Sequence, residues 1–301
     1  MTTSTLSGIV IAPHRFAFGF YRQVWWNWLI GTAFFLGEIG AGLFLISLLT
    51  GHALGMAVGY LIVMAGKNTA HLLYLGRPAR FWRAAMRPDR SWIARGIWAT
   101  GFFGLSGLLT LLPHYLALPW RLSAQMDTLV FYVAALSALF IMFYDGFVMK
   151  AASSIPFWST WLLPVLCLTY ASLGGTTLSL TLRELLGERV PASLLNAEYT
   201  LLVVNFVLLM VYLLRMSRWL PAARETARSL LRGTYAPTFV GVVLLVGLAG
   251  TLLLSLVQVW THWTWVVVLI AACELTGDFA LLMVLLKSGL FSPQTAPVYR
   301  V

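Results

Sequence analysis

The sequence predicts an all-α integral membrane protein, a single membrane domain over residues 1–301 built as a bundle of about eight transmembrane helices. Three observations carry that prediction. The composition is 60% hydrophobic and only 10% charged, eight apolar stretches have membrane-crossing length, and the basic residues gather in one set of loops. Soluble domains carry about a quarter charged residues. This chain has too little polar surface to cover a water-facing fold, and a bilayer removes that need because helices satisfy their own backbone groups inside it.

The stretches fall at about 25–50, 55–75, 96–118, 126–149, 160–182, 196–216, 236–260 and 263–287. Each matches the roughly twenty residues that cross a hydrocarbon core. Pro78, Pro88, Pro119, Pro156, Pro191, Pro221 and Pro237 lie between spans or at their ends, and Pro164 lies in the first turn or so of the fifth span, where a missing N–H is tolerated. Trp25, Trp26, Trp28, Trp120, Trp158, Trp260, Trp263 and Trp265 cluster at span ends, as interfacial aromatic belts do. Gly31, Gly37, Gly40 and Gly42 let a neighbouring helix approach the first span closely. No internal repeat is visible.

An even number of spans puts both termini on one face, here called side A. That face then carries Arg15, Arg22, Arg77, Arg80, Arg83, Arg87, Arg90, Arg95, Lys150, Arg215, Arg218, Arg224, Arg228, Arg232, Lys287 and Arg300, against Arg121, Arg183 and Arg189 on side B. Lys67 alone lies within a span. By the positive-inside rule side A is cytoplasmic. The net charge of +10 therefore points to anionic membrane lipid; nucleic acid is excluded, since no basic stripe lies on a soluble surface. Residues 1–20 lack a basic n-region, an apolar core and a cleavage site, so the first transmembrane helix is expected to lead insertion.

Two cysteines, Cys167 and Cys273, are too few for a cluster that takes four thiolates and read as small core residues. Of five histidines, His14 precedes the first span, and His52, His114 and His262 sit at side B ends. No pair faces across the bundle to hold haem, and no metal site is expected.

Ionisable side chains are costly in lipid and are functional candidates for that reason. Five are assigned to spans: Glu38, Lys67, Asp145, Glu274 and Asp278. Glu38 and Glu274 are placed near mid-membrane, Lys67 about two turns from side A, and Asp145 and Asp278 shallower towards side A. One reading is structural pairing, such as Lys67 with Asp145 or Asp278. The other is a proton-handling site opening to side A, with Glu38, Glu274 and Asp278 as the pathway. The two are compatible, because a buried pair can exchange protons.

Residues 67–96 read KNTAHLLYLGRPARFWRAAMRPDRSWIARG. Spacings of four and three place Lys67, His71 and Tyr74 on one helical face. The chain then breaks at Gly76 and Pro78 into an arginine-dense loop. A ring with two carbonyls needs hydrogen-bond donors at each end and an aromatic wall. Lys67, His71, Tyr74, Arg77 and Trp82 supply that set, with Asp145 at matching depth, and His71 can pass a proton near neutral pH. The plainer alternative makes His71 an interfacial residue bonded to a backbone carbonyl, Tyr74 a belt residue and the arginine run a topology signal.

LGRPARFW, continuing into RPDRSWIARG, resembles the loop after the second helix of the NrfD/polysulfide-reductase membrane subunits. WNWLIGTAFFLGEIGAGLFL is similar to that family's first helix, and ELTGDFALLMVLLKSG to its last. The resemblance implies a non-catalytic anchor subunit of a multisubunit oxidoreductase in a bacterial or archaeal inner membrane, exchanging electrons and protons with quinone (menaquinone or ubiquinone). It implies no haem or iron–sulfur cluster in this chain. The expected partners are a ferredoxin-like iron–sulfur subunit docked on the LGRP side, with Arg80, Arg83, Arg87 and Arg90 as docking residues, and a catalytic subunit carrying molybdenum or tungsten bis-pyranopterin. Anchors of the dimethyl-sulfoxide-reductase type commonly place His one Leu before the LGRP-like residues; here that position is Tyr74, with His71 one turn earlier, so both are assigned to the ring. Docking on the arginine-rich face resembles the sulfite-oxidising or acyl-CoA-oxidising branches. The competing class is a secondary transporter, which inverted repeats would mark.

Overall fold

The computed structural model describes residues 20–119 and 122–292, and it is a helical bundle. His14, Arg15, Trp120, Arg121 and Arg300, all used above, lie outside the described residues. Seven helical runs are long and apolar enough to cross a membrane: α1 (Trp28–Leu49), α4 (Trp92–Tyr115), α5 (Ala124–Ala151), α6 (Leu162–Leu185), α7 (Ala192–Ser217), the run Pro237–Thr261, and α10 (Thr264–Ser288). An eighth run is segmented. It comprises α2 (Ala53–Leu61), a π-helical stretch (Ile62–Lys67) and α3 (Asn68–Tyr74) without a break. At 1.5 Å per residue it is about 33 Å long, enough for the roughly 30 Å hydrocarbon core. The run Pro237–Thr261 is likewise divided, into a π-helical stretch (Pro237–Gly250) and α9 (Thr251–Thr261).

Caps set several helix starts. Asn27 accepts from Leu29 N, Ser91 from Ala94 N and Ser123 from Met126 N, each satisfying one amide that the first turn leaves free. The two ends of the described residues meet on side A. Strand β1 (Tyr21–Arg22) pairs antiparallel with β2 (Leu290–Phe291), and the Gln23 side chain donates to Leu286 O at 2.7 Å. An even number of crossings puts those two ends on one side, which permits the pairing.

Helix α1 is the central staff, packed on α2, α5, α6 and α10. Its glycines allow this. A Cβ on Gly175 of α6 would lie 2.6 Å from Leu43 N of α1, so the two backbones touch at a level where side chains would hold them apart. The π-helical stretch Pro237–Gly250 meets α10 in the same way, where a Cβ on Gly247 would lie 2.6 Å from Gly277 Cα.

Two expectations need correction. Trp158 is no belt residue: it is only 1% exposed, donates its indole N–H to Leu285 O at 2.9 Å and packs against Trp26 at 4.9 Å between ring centroids. A buried partner for the N–H lets the indole sit in the core. The stretch 215–232, read as loop, holds the helix α8 (Pro221–Arg232). Its small residues Ala222, Ala223 and Ala227 are buried, and Arg224, Arg228 and Arg232 are exposed. A short amphipathic helix of this kind lies in the interface plane rather than across it.

Candidate functional site

The site is built from the side A end inward. The π-helical stretch closes at Lys67, and Gly37 of α1 makes room for it. A Cβ on Gly37 would stand 2.9 Å from Lys67 Cδ and 3.0 Å from Cε. The lysine stem threads this slot, and its Nζ donates to Thr100 Oγ1 of α4 at 3.2 Å. The Tyr144 ring lies 5.9 Å from Nζ. Asp145, on α5, is fully buried and within electrostatic reach of Lys67. Neither carboxyl oxygen of Asp145 has a hydrogen-bond partner. The direct ion pair considered for Lys67, with Asp145 or Asp278, is not formed at 4 Å among the described residues.

His71, in α3, stands one turn from Lys67 and contacts Lys67 O through Nδ1 at 3.2 Å. A carbonyl only accepts, so this contact places the ring proton on Nδ1 and leaves Nε2 with its lone pair. Phe34 flanks the imidazole at 5.9 Å. Tyr74 behaves differently. Its hydroxyl donates to Trp25 O at 3.0 Å, which ties the end of α3 to the start of α1. Arg77 and Trp82 are exposed on the side A loop. That loop is a 3-10 helix (Pro78–Met86) with no buried residue, and Trp98 holds it from α4 by donating to Ala85 O at 3.1 Å. Arg80, Arg83, Arg87 and Arg90 are all exposed. The fold thus brings Lys67, His71 and Asp145 together, gives Tyr74 a structural tie, and leaves Arg77 and Trp82 on the outer surface.

Deeper in the bundle, Glu38 is within reach of Asp145 on one side and Asp278 on the other. Cys167 and Tyr170 of α6 share the wall of a cavity of about 20 Å³ with Glu38 and Asp278. Asp278 lies nearly three turns from the side A end of α10, so it belongs with Glu38 at mid-membrane. The shallower position expected for it is corrected.

Beyond the midplane a second group forms. Thr177 Oγ1 lies 2.5 Å from Glu274 Oε2 and 3.3 Å from Glu198 Oε1. Glu198 belongs to α7 and is 4% exposed. The sequence reading missed it because the expected helix began at 196, which put Glu198 at the interface where an acidic first turn is ordinary. The helix starts at Ala192, so Glu198 is a full turn deeper. Cys167, a plain core residue by sequence, shares a cavity wall with Glu38.

A family model described as polysulphide reductase, NrfD, matches residues 18–293. The chain belongs to that family. NrfD proteins are membrane subunits of molybdopterin oxidoreductase complexes. Comparison with curated proteins gives no match. Within this NrfD chain, the LGRP loop, the start of α1 and the end of α10 lie at side A, and the first and last of the segments quoted for the resemblance run from there into the bundle.

Proposed function

We propose that this NrfD chain is the quinone-reactive anchor of its complex, passing electrons between a docked iron–sulfur subunit and the quinone pool. The observation that carries the reading is the cluster of buried Lys67 and Asp145 with half-buried His71 beneath the exposed arginine loop. Redox chemistry at a quinone moves two protons with two electrons, so it needs proton-exchanging groups at the end where the electrons arrive. The donor set fits the ring. Lys67 offers an ammonium, Asp145 an unpartnered carboxyl, and His71 Nε2 a lone pair that can take a proton from a quinol hydroxyl. Arg77 and Trp82 sit at the mouth of the same end, and Tyr74 holds its wall in place.

The loop with Arg80, Arg83, Arg87 and Arg90 is the docking surface for a ferredoxin-like partner with acidic contacts, which in turn binds the molybdenum or tungsten catalytic subunit. By the charge count, side A and both termini face the cytoplasm of a bacterial or archaeal inner membrane. Menaquinone and ubiquinone present the same two carbonyls to the site, and the mechanism assigns no haem or cluster to this chain.

The test is steady-state turnover of the purified complex with a quinol analogue and with a membrane-independent redox dye. His71→Ala and Asp145→Asn should lower quinone-linked turnover by about 10²–10⁴-fold, as loss of a general acid or base does, while dye activity stays within about twofold. Normal quinone kinetics in both variants would remove the site from this end of the bundle.

A further inference from the structure

Two walls of the bundle face each other with little packing between them. Helix α7 rests on α6, the run Pro237–Thr261 rests on α10, and α6 packs on α10 behind them. The facing side of α7 carries Leu195, Glu198, Leu202 and Phe206, and the facing side of the other run carries Gln258, Ser255, Leu252, Leu248 and Leu244. Steps of three and four keep each series on one helical face. Between the walls lie a cavity of about 40 Å³ at the side B end and one of about 240 Å³ towards mid-membrane. The two follow one another along both walls as a single slot, about 17 Å long on α7 and about 21 Å on the other wall at 1.5 Å per residue. One leaflet of the hydrocarbon core is about 15 Å thick. The slot opens sideways into the bilayer, since Val203, Phe206 and Leu252 on its rim are exposed.

The chemistry of the slot changes along its length. Its side B end is lined by Gln258, by Glu184 in the last turn of α6 and by Glu198, with no basic side chain. Gln258 Oε1 is buried and has no hydrogen-bond partner, although an amide oxygen can accept twice. One turn deeper Ser255 is 1% exposed, and its hydroxyl has no partner either. Further in, every side chain that lines the slot is apolar. Buried polar groups are almost always paired, so the orphans at Gln258 and Ser255 point to a ligand that pairs them. Acceptors at the rim, a hydroxyl donor below them and hydrocarbon beneath match an amphiphile of leaflet length whose head carries N–H donors.

We propose that this slot is a binding site for one aminophospholipid of the side B leaflet, of the phosphatidylethanolamine type. The ammonium donates to Gln258 Oε1 and to the Glu184 carboxyl at the rim. Ser255 donates its hydroxyl to an ester carbonyl oxygen of the lipid one turn deeper. One acyl chain lies along Leu252, Leu248 and Leu244, opposite Leu202 and Phe206. The choice of head follows from the rim. The trimethylammonium of phosphatidylcholine has no N–H to offer Gln258, and phosphatidylglycerol would bring a net negative charge to a rim of carboxyls. The chain supplies the contacts that α7 and the π-helical stretch do not make with each other, so the lipid is a wedge that fixes the spacing of the two walls. The slot is separate from the Lys67–His71–Asp145 cluster, and the inference does not depend on the quinone reading.

The experiment uses the full chain in its purified complex, exchanged into equal mixtures of phosphatidylethanolamine, phosphatidylcholine and phosphatidylglycerol with identical chains. Native mass spectrometry counts the lipids that stay bound. Wild type should keep one phosphatidylethanolamine with about a tenfold preference over phosphatidylcholine, the margin that a charge-assisted hydrogen bond supplies. Its melting temperature should rise with phosphatidylethanolamine and not with the other two. Gln258→Leu combined with Glu184→Gln should erase the preference. Ala249→Trp, which fills the apolar cavity from its exposed rim, should expel the lipid and abolish the thermal response. Equal retention of the three lipids by wild type, or retention of none, overturns the inference, and this comparison decides even where a variant does not fold. A preference that survives both variants also overturns it, by putting the lipid elsewhere. So does a quinone that stays bound to wild type and is lost in Ala249→Trp.

Discussion

The two ends of this bundle solve opposite problems. Side A is open: its main loop has no buried residue, its arginines are free of the core, and the carboxyl beneath them has no hydrogen-bond partner. Side B is closed. Arg183 reaches from α6 to Thr50 O at 3.3 Å, and Glu188 lies 3.6 Å from Arg183 and 3.5 Å from His52. This fastens the loop after α1 to the loop after α6. An unsatisfied polar end is costly in a fold and useful in a site. On the proposed function, the open end is the one that receives a ligand and a partner, and the fastened end is the one that holds the helices together.

Three variants sharpen or break that contrast. The largest effect is expected at the outer surface of side A. Replacing Arg80, Arg83, Arg87 and Arg90 together by Gln should release the iron–sulfur partner, measured as its loss from purified membranes. In wild type the attachment should weaken with added salt, since exposed charges are screened beyond about 10 Å at 0.1 M. A partner that stays bound and active in the quadruple variant would reduce the loop to a topology signal and make the two ends alike.

A smaller effect tests which side A residues belong to the site. Tyr74→Phe removes one hydrogen bond, to Trp25 O, worth about 1 kcal/mol. It should lower the melting temperature slightly and leave quinone kinetics close to wild type, in contrast with His71→Ala. A Tyr74→Phe variant as impaired as His71→Ala would move the tyrosine into the ring contact.

The smallest effect belongs to side B. Burial first, and then the Arg183 guanidinium, hold His52 below its ordinary value of 6.5, against the pull of Glu188. The folded form therefore binds a proton less readily than the unfolded chain. Its contribution to stability is complete above pH 6.5 and is lost as pH falls through that value towards the folded one. The melting temperature of the detergent-solubilised complex should drop on acidification from pH 7 to 5, and His52→Gln should flatten part of that drop. An unchanged slope in the variant would mean that His52 does not gate the fastening.

Much of the architecture was readable from local properties. Span positions follow from apolar length, and the caps at Ser91 and Ser123 from residue type. The pairing of β1 with β2 is what an even span count leads one to expect of the two described ends. Trp158 marks the limit, because position along the chain puts it at an interface while a carbonyl from α10 makes it core. Glu198 marks another, since an error of four residues in a helix start was enough to hide it.

Composition and span length determined by themselves that this chain is an all-α protein of many membrane-crossing helices. These are sums over neighbours in sequence, and the bilayer rewards them without regard to partners. The tertiary structure alone decided which inward faces meet. Backbone contact at Gly42–Gly175 and Gly247–Gly277 sets how closely helices cross, and the π-helical stretches shift the faces of the runs that contain them. Those choices put Thr177 between Glu274 and Glu198, gave Tyr74 to Trp25, and left the Asp145 carboxyl unpartnered beside Lys67. No period in the sequence encodes them, because each depends on the rotation of two or three helices about their own axes at once.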